Sequence, residues 1–164
     1  MDFLTRINAP LARWCLMLAC ACLAALLSVV VYGVVLRYGF NDAPAYVEQL
    51  ALLLVISVAM LGAAAGVRDA GHIGLDSLVR TLSPRAQVIC QLLVHALVIV
   101  FALALLVGSA LMGISTRSST IPTLGISEAY RYLPVVLAGA LIVLFSIERA
   151  VALLTAKEVH PSWN

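Results

Sequence analysis

Four long stretches of this chain carry no charged side chain. Between Arg13 and Arg37 lie the 23 residues Trp14 to Leu36; Gln49 to Val67 adds 19, Ala86 to Thr116 adds 31, and Tyr132 to Ile147 adds 16, resuming past Glu148 and Arg149 as Ala150 to Ala156. An α-helix rises about 1.5 Å per residue, so roughly 20 apolar residues cross about 30 Å of hydrocarbon. Three runs qualify outright. The fourth qualifies if Glu148 and Arg149 sit at headgroup level, where charged side chains reach water. The third is long enough that it should tilt or project from the membrane. Hydrophobic residues make up 63% of the chain and charged ones 11%, against about 25% charged in an average soluble domain. That excess of apolar surface calls for a bilayer as solvent.

The expected fold is therefore all-α and integral to the membrane: one four-helix domain over 1–164, with spans at about 14–37, 45–67, 85–116 and 129–150. Punctuation agrees with hydropathy. Ser83-Pro84 combines a capping serine with proline at the first helical position, Asp42 with Pro44 can open the second helix, and Ser127 with Glu128 the fourth. Glu48 and Glu128 then lie near helix N-termini, where negative charge is favourable. In the loop between the second and third spans, Leu75, Leu78, Val79 and Leu82 fall at i, i+3, i+4 and i+7. This spacing predicts a short amphipathic helix over 74–82, lying in the interface. Lys and Arg are distributed seven to three in favour of the side that holds both termini and this loop, so both termini are expected in the cytoplasm.

The same reading excludes several functions. A net charge of +2 is too weak for nucleic-acid binding. The first apolar run is too long for a secretory signal, and no small-residue cleavage site follows it. Cys15, Cys20, Cys22 and Cys90 read as small apolar residues; Cys20 and Cys22 sit about 200° apart around a helix, too far to share a metal. No nucleophile with its base, paired acids or ligand cluster emerges, so no enzymatic activity and no cofactor is expected. Carrying a substrate requires a polar path, usually ionisable residues or broken helices near the midplane. Here the ionisable side chain well inside a span, cysteines aside, is His95. A haem-bearing membrane anchor of a respiratory oxidoreductase is the alternative, but His72 lies roughly 15 Å shallower than His95 and His160 is in the tail. Gly62 and Gly66, with alanines between, and Ala21 with Ala25 offer close helix approach. What remains is a membrane-embedded interaction subunit.

Particular residues then match a family. Arg37-Tyr38-Gly39-Phe40 closes the first helix, and Tyr46-Val47-Glu48-Gln49-Leu50 follows. Gly62-Ala63-Ala64 comes 13 residues past Gln49, and Arg68, His72, Ile73 and Asp76 form a further signature. Leu124-Gly125-Ile126, Tyr132, Pro134 and Ile147-Glu148 complete the set. In order and spacing the chain resembles the small membrane subunit of tripartite ATP-independent periplasmic (TRAP) transporters, the DctQ-like family. It departs at Gln49, where the family has a second glutamate, at Tyr46 for a usual tryptophan, and at Ser127 for a frequent proline.

The resemblance implies a bacterial inner-membrane, sodium-driven uptake system for organic acids. A periplasmic binding protein would deliver substrate to a large membrane subunit, which also holds the sodium ions, and the small subunit would be its static scaffold. Arg37, Tyr38, Phe40, Glu48, Gln49, Gly62 and Gly66 are the candidate partner-interface residues, and Arg37 could pair with Glu48 across the short loop. Arg68, His72 and Asp76, at i+4 steps, are candidates for anchoring the second loop or holding phospholipid headgroups. In a cysteine-free background, Ala43→Cys and Thr123→Cys should label with an impermeant maleimide only from the periplasmic side. Labelling confined to the cytoplasmic side would invert the topology.

Overall fold

The structure, a computed structural model, describes residues 2–69 and 83–154. The helix expected over 74–82 lies outside the described residues, as do His72, Asp76 and the tail with His160. The apolar runs fold as α1 (Asp2–Gly39), α2 (Ala45–Asp69), α3 (Pro84–Ser115) and α4 (Leu133–Leu154), the last preceded by a 3-10 turn at Glu128–Arg131. Each apolar stretch supplies a helix long enough to cross a membrane. A helix satisfies its own backbone donors and acceptors, which hydrocarbon cannot do.

The helix ends follow from local chemistry. Asn41 takes a left-handed backbone (φ 52°) and stops α1; the Asp42 amide folds back onto the Leu36 carbonyl at 3.1 Å. Asparagine tolerates that conformation better than other residues with a Cβ. Ser83 is extended ahead of Pro84 at the start of α3, though its hydroxyl makes no capping bond. Ser127 caps the 3-10 turn rather than the fourth span itself: its side chain accepts the Ala129 amide at 3.3 Å and its hydroxyl donates to the Arg117 carbonyl at 2.9 Å. Gly125 (φ 67°) closes the tight loop before it, where the Ile121 amide bonds the Ile126 carbonyl at 2.8 Å. α1 begins well before the expected 14–37 span and carries Pro10 within it. The helical stretch apolar enough to span, Asn8–Gly39, therefore includes a proline that the shorter expected span left out.

The packing is a row rather than a closed ring. α3 lies along α4, α4 along α2, and α2 along α1. Where helices meet, alanines let the backbones approach: Ala12, Ala64, Ala102 and Ala138 surround Phe145 and Ile142. A second patch joins Cys15 and Ala19 to Leu61 and Ala65. Two glycines fix the tightest contacts. A Cβ on Gly139 would stand 3.2 Å from the Ala102 carbonyl oxygen and from Leu106, and one on Gly33 would stand 2.7 Å from Val47. The membrane-spanning window of α4 is 39% buried, whereas those of α1 and α3 are each 11% buried. The outer faces of the row are thus left to lipid or to a partner.

Gly62 and Gly66 have open space where a Cβ would go, so their stripe faces outward from the chain. Gly139→Val should destabilise the purified protein by about 1–3 kcal/mol through overpacking against α3. Gly62→Ala should be neutral or slightly stabilising in thermal unfolding of the isolated chain. Equal losses at both positions would contradict this assignment of faces.

Candidate functional site

Four antiparallel crossings bring both described ends of the chain to one side of the row, where a buried polar knot joins three helices. Arg68, in the last turn of α2, is 1% exposed; Glu148 of α4 and Asn8 of α1 are 0% exposed. The Arg68 Nε donates to Glu148 Oε2 at 3.3 Å, and the Asn8 side-chain amide donates to the same oxygen at 2.8 Å. Arg68 Nη1 also pairs with Asp69 at 3.2 Å. The last carbonyls of a helix lack partners within it. Arg149 supplies one here, its Nε and Nη2 donating to the Arg68 carbonyl at 3.0 and 2.5 Å. A cation at that end also complements the helix dipole.

This arrangement corrects the expectation that Glu148 reaches water. Its carboxylate is wholly enclosed between α1, α2 and α4, because the Arg68 charge faces it at the same depth. Pairing with Arg68 and the bond from Asn8 offset much of the cost of taking the carboxylate out of water. Arg68, a candidate for both anchoring and headgroup binding, has its guanidinium buried and turned inward. The other two members of that proposed set, His72 and Asp76, lie outside the described residues.

The opposite end holds the two interhelical loops. Tyr38 and Phe40, 82% and 73% exposed, project from the end of α1, and the hydroxyls of Tyr32 and Tyr46 lie 3.4 Å apart. Such aromatic residues favour the membrane–water boundary, where the ring is apolar and the hydroxyl wet. Arg37 and Glu48 line one groove between α1 and α2, but among the described residues no ion pair or hydrogen bond joins them. The bond that joins the two hairpins at this end is elsewhere. The Arg131 guanidinium donates to the Gln49 side-chain carbonyl, and its Nη1 sits 3.6 Å from Glu128. Gln49 therefore ties the α1–α2 hairpin to the α3–α4 hairpin as a neutral acceptor, in the place where the resembled family has an acid.

Sequence reasoning found Arg68 and Gln49 but missed Asn8, Arg131 and the enclosure of Glu148. Each missed residue is an isolated polar side chain near a span end, and its partner is distant in sequence. His95 is buried on α3 (7% exposed); among the described residues no group of three or more His, Cys, Asp or Glu could hold a metal ion.

Residues 26–156 match the family model described as tripartite ATP-independent periplasmic transporters, DctQ component. Two proteins of Haemophilus influenzae, each provisionally named TRAP transporter small permease protein, are similar. One is 28% identical over 134 residues, covering 81% of this chain and 83% of its own length. The other is 23% identical over 128 residues, covering 76% and 78%. The matched region takes in Arg37, Gln49, Arg68, Arg131 and Glu148, while Asn8 lies before it.

Glu148→Ala would leave the Arg68 charge buried without its counter-ion, at a cost of about 3–5 kcal/mol. The double variant Arg68→Met/Glu148→Leu should recover most of that loss in thermal unfolding of the purified chain. Additive destabilisation would show that the two side chains do not act as a pair.

Proposed function

The chain belongs to the DctQ-component family of tripartite ATP-independent periplasmic transporters, and from that premise we propose that it is the brace of the system, not its carrier. It is a small permease subunit with several membrane-spanning helices, and this family is a transporter component rather than an enzyme family. In the proposed assembly it sits in the bacterial inner membrane with both termini cytoplasmic. It holds a large membrane subunit that moves substrate and binds the coupling sodium ions. A periplasmic binding protein delivers the substrate, an organic acid, to that large subunit.

The observation that carries this reading is the closed interior. The enclosed guanidinium of Arg68 is bound to the buried Glu148 and to Asp69, whose side chain is nearly enclosed as well, at one end of the row. Two buried hydroxyls further in return to their own helices, Ser57 donating to the Leu53 carbonyl at 2.8 Å and Ser109 to that of Leu105 at 2.5 Å, while the enclosed Ser146 hydroxyl makes no hydrogen bond among the described residues. Bound within single helices, Ser57 and Ser109 offer a solute no polar step from one helix to the next. A brace needs rigidity and a large face to offer. The polar knot at one end and the Gln49–Arg131 bond at the other fasten the helices together, while α1 and α3 present long apolar faces. The oxidoreductase-anchor alternative is not favoured, since the family match leads to a transporter component.

In proteoliposomes with a sodium gradient and the binding protein present, uptake should require this chain together with the large subunit. This chain alone should give none. Uptake by this chain alone would overturn the bracing role, and full uptake by the large subunit alone would make the brace dispensable.

A further inference from the structure

At its loop end the α1–α2 hairpin carries a groove of about 320 Å³. Helical register makes it amphipathic from top to bottom. Val30, Gly33, Val34 and Arg37 fall at i, i+3, i+4 and i+7 on α1, so one face runs from apolar depth to a charged rim. Val47 and Glu48 face it from α2. Because Gly33 has no side chain, Val47 seats against α1 one turn below Arg37, and Val30 with Ala51 forms the floor. Arg37 stands about 10 Å above Val30 along the helix, which separates a lipid headgroup from the first carbons of its acyl chains.

Two further features specify what the groove holds. Arg37 and Glu48 are exposed, of opposite charge, and neither makes a hydrogen bond or ion pair among the described residues. Their rim lies beside the Tyr32–Tyr46 pair and the projecting Tyr38 and Phe40, the aromatic signature of headgroup depth. A ligand must therefore be apolar below and carry both charges above. We propose that this groove is a binding site for a phospholipid with a primary-amine zwitterionic headgroup, of the phosphatidylethanolamine class. The Arg37 fork takes the phosphate, and the Glu48 carboxylate accepts from the ammonium. Asp42, beyond the rim, adds a second negative charge to the same hairpin. An anionic headgroup thus meets one favourable and two unfavourable charges. A quaternary choline headgroup has no N–H to donate to Glu48. The site depends on the membrane fold alone, so it stands apart from the bracing role.

The test is native mass spectrometry of the purified full chain titrated with dioleoyl-phosphatidylethanolamine, -phosphatidylcholine and -phosphatidylglycerol. The amine lipid should bind about fivefold more tightly than either of the others, in keeping with one charge-assisted hydrogen bond at a partly wet site. Glu48→Gln should erase the preference over phosphatidylcholine. Arg37→Ala should weaken both zwitterionic lipids, and Arg37→Lys should retain most of the binding. Both positions are exposed and unbonded, so unchanged thermal unfolding serves as the check that the variants are folded. Equal binding of all three lipids, a preference for phosphatidylglycerol, or unaltered selectivity in Glu48→Gln would overturn the proposal. So would unselective lipid binding combined with weaker retention of the large subunit by Arg37→Ala, which would assign the groove to a partner helix instead.

Discussion

A single carboxylate, that of Glu148, holds three helices to one another. It lies on α4, accepts from Arg68 of α2 and from Asn8 of α1, and is closed off from solvent. In an apolar environment neither charge is tolerable without the other, so the two helix ends are bound to meet at this depth. Arg149, next in sequence, caps the end of α2. The adjacent residues Glu148 and Arg149 thus address the same helix in two ways, one through its side chain and one through its backbone.

Away from that knot, hydrophobicity cannot order the helices, because lipid tails are as apolar as leucine. Close packing of small residues takes over. Ala64, Ala102 and Ala138 bring three helices together, and Gly139 admits the backbone of α3. The consequence is a row with α4 and α2 inside and α1 and α3 at its flanks. Such a shape has little interior in which to carry anything and much exterior to present. That shape is what the proposed bracing role rests on.

Hydropathy and helix punctuation made much of the architecture legible. The uncharged runs marked four helices, and Asp42-Pro44 and Ser83-Pro84 lie at the starts of the second and third, whereas Ser127 caps the 3-10 turn ahead of the fourth. Membrane helices are well suited to such reading, since each satisfies its backbone alone and its length answers to bilayer thickness. The candidate site was legible only in part. Arg68 and Gln49 stood out through the family resemblance, but their partners did not. Nothing along the chain links position 8 to position 148, or 49 to 131, because no periodicity connects residues on different helices. The same limit applies to Gly62 and Gly66. Spacing marked them as a contact stripe, yet the internal contacts of that segment are made by Leu61, Ala64 and Ala65.

By itself, then, the sequence determined that the chain lives in a bilayer as four helices, because uncharged runs of that length have no other stable home. Its motif order determined the family. Tertiary structure decided which way the charges at the span ends point. Glu148 could have turned toward the headgroups, and its position near the end of an apolar run invited that reading. It turns inward because Arg68 and Asn8 stand beside it in space, and the free energy of a buried charge depends on neighbours that only the folded chain supplies.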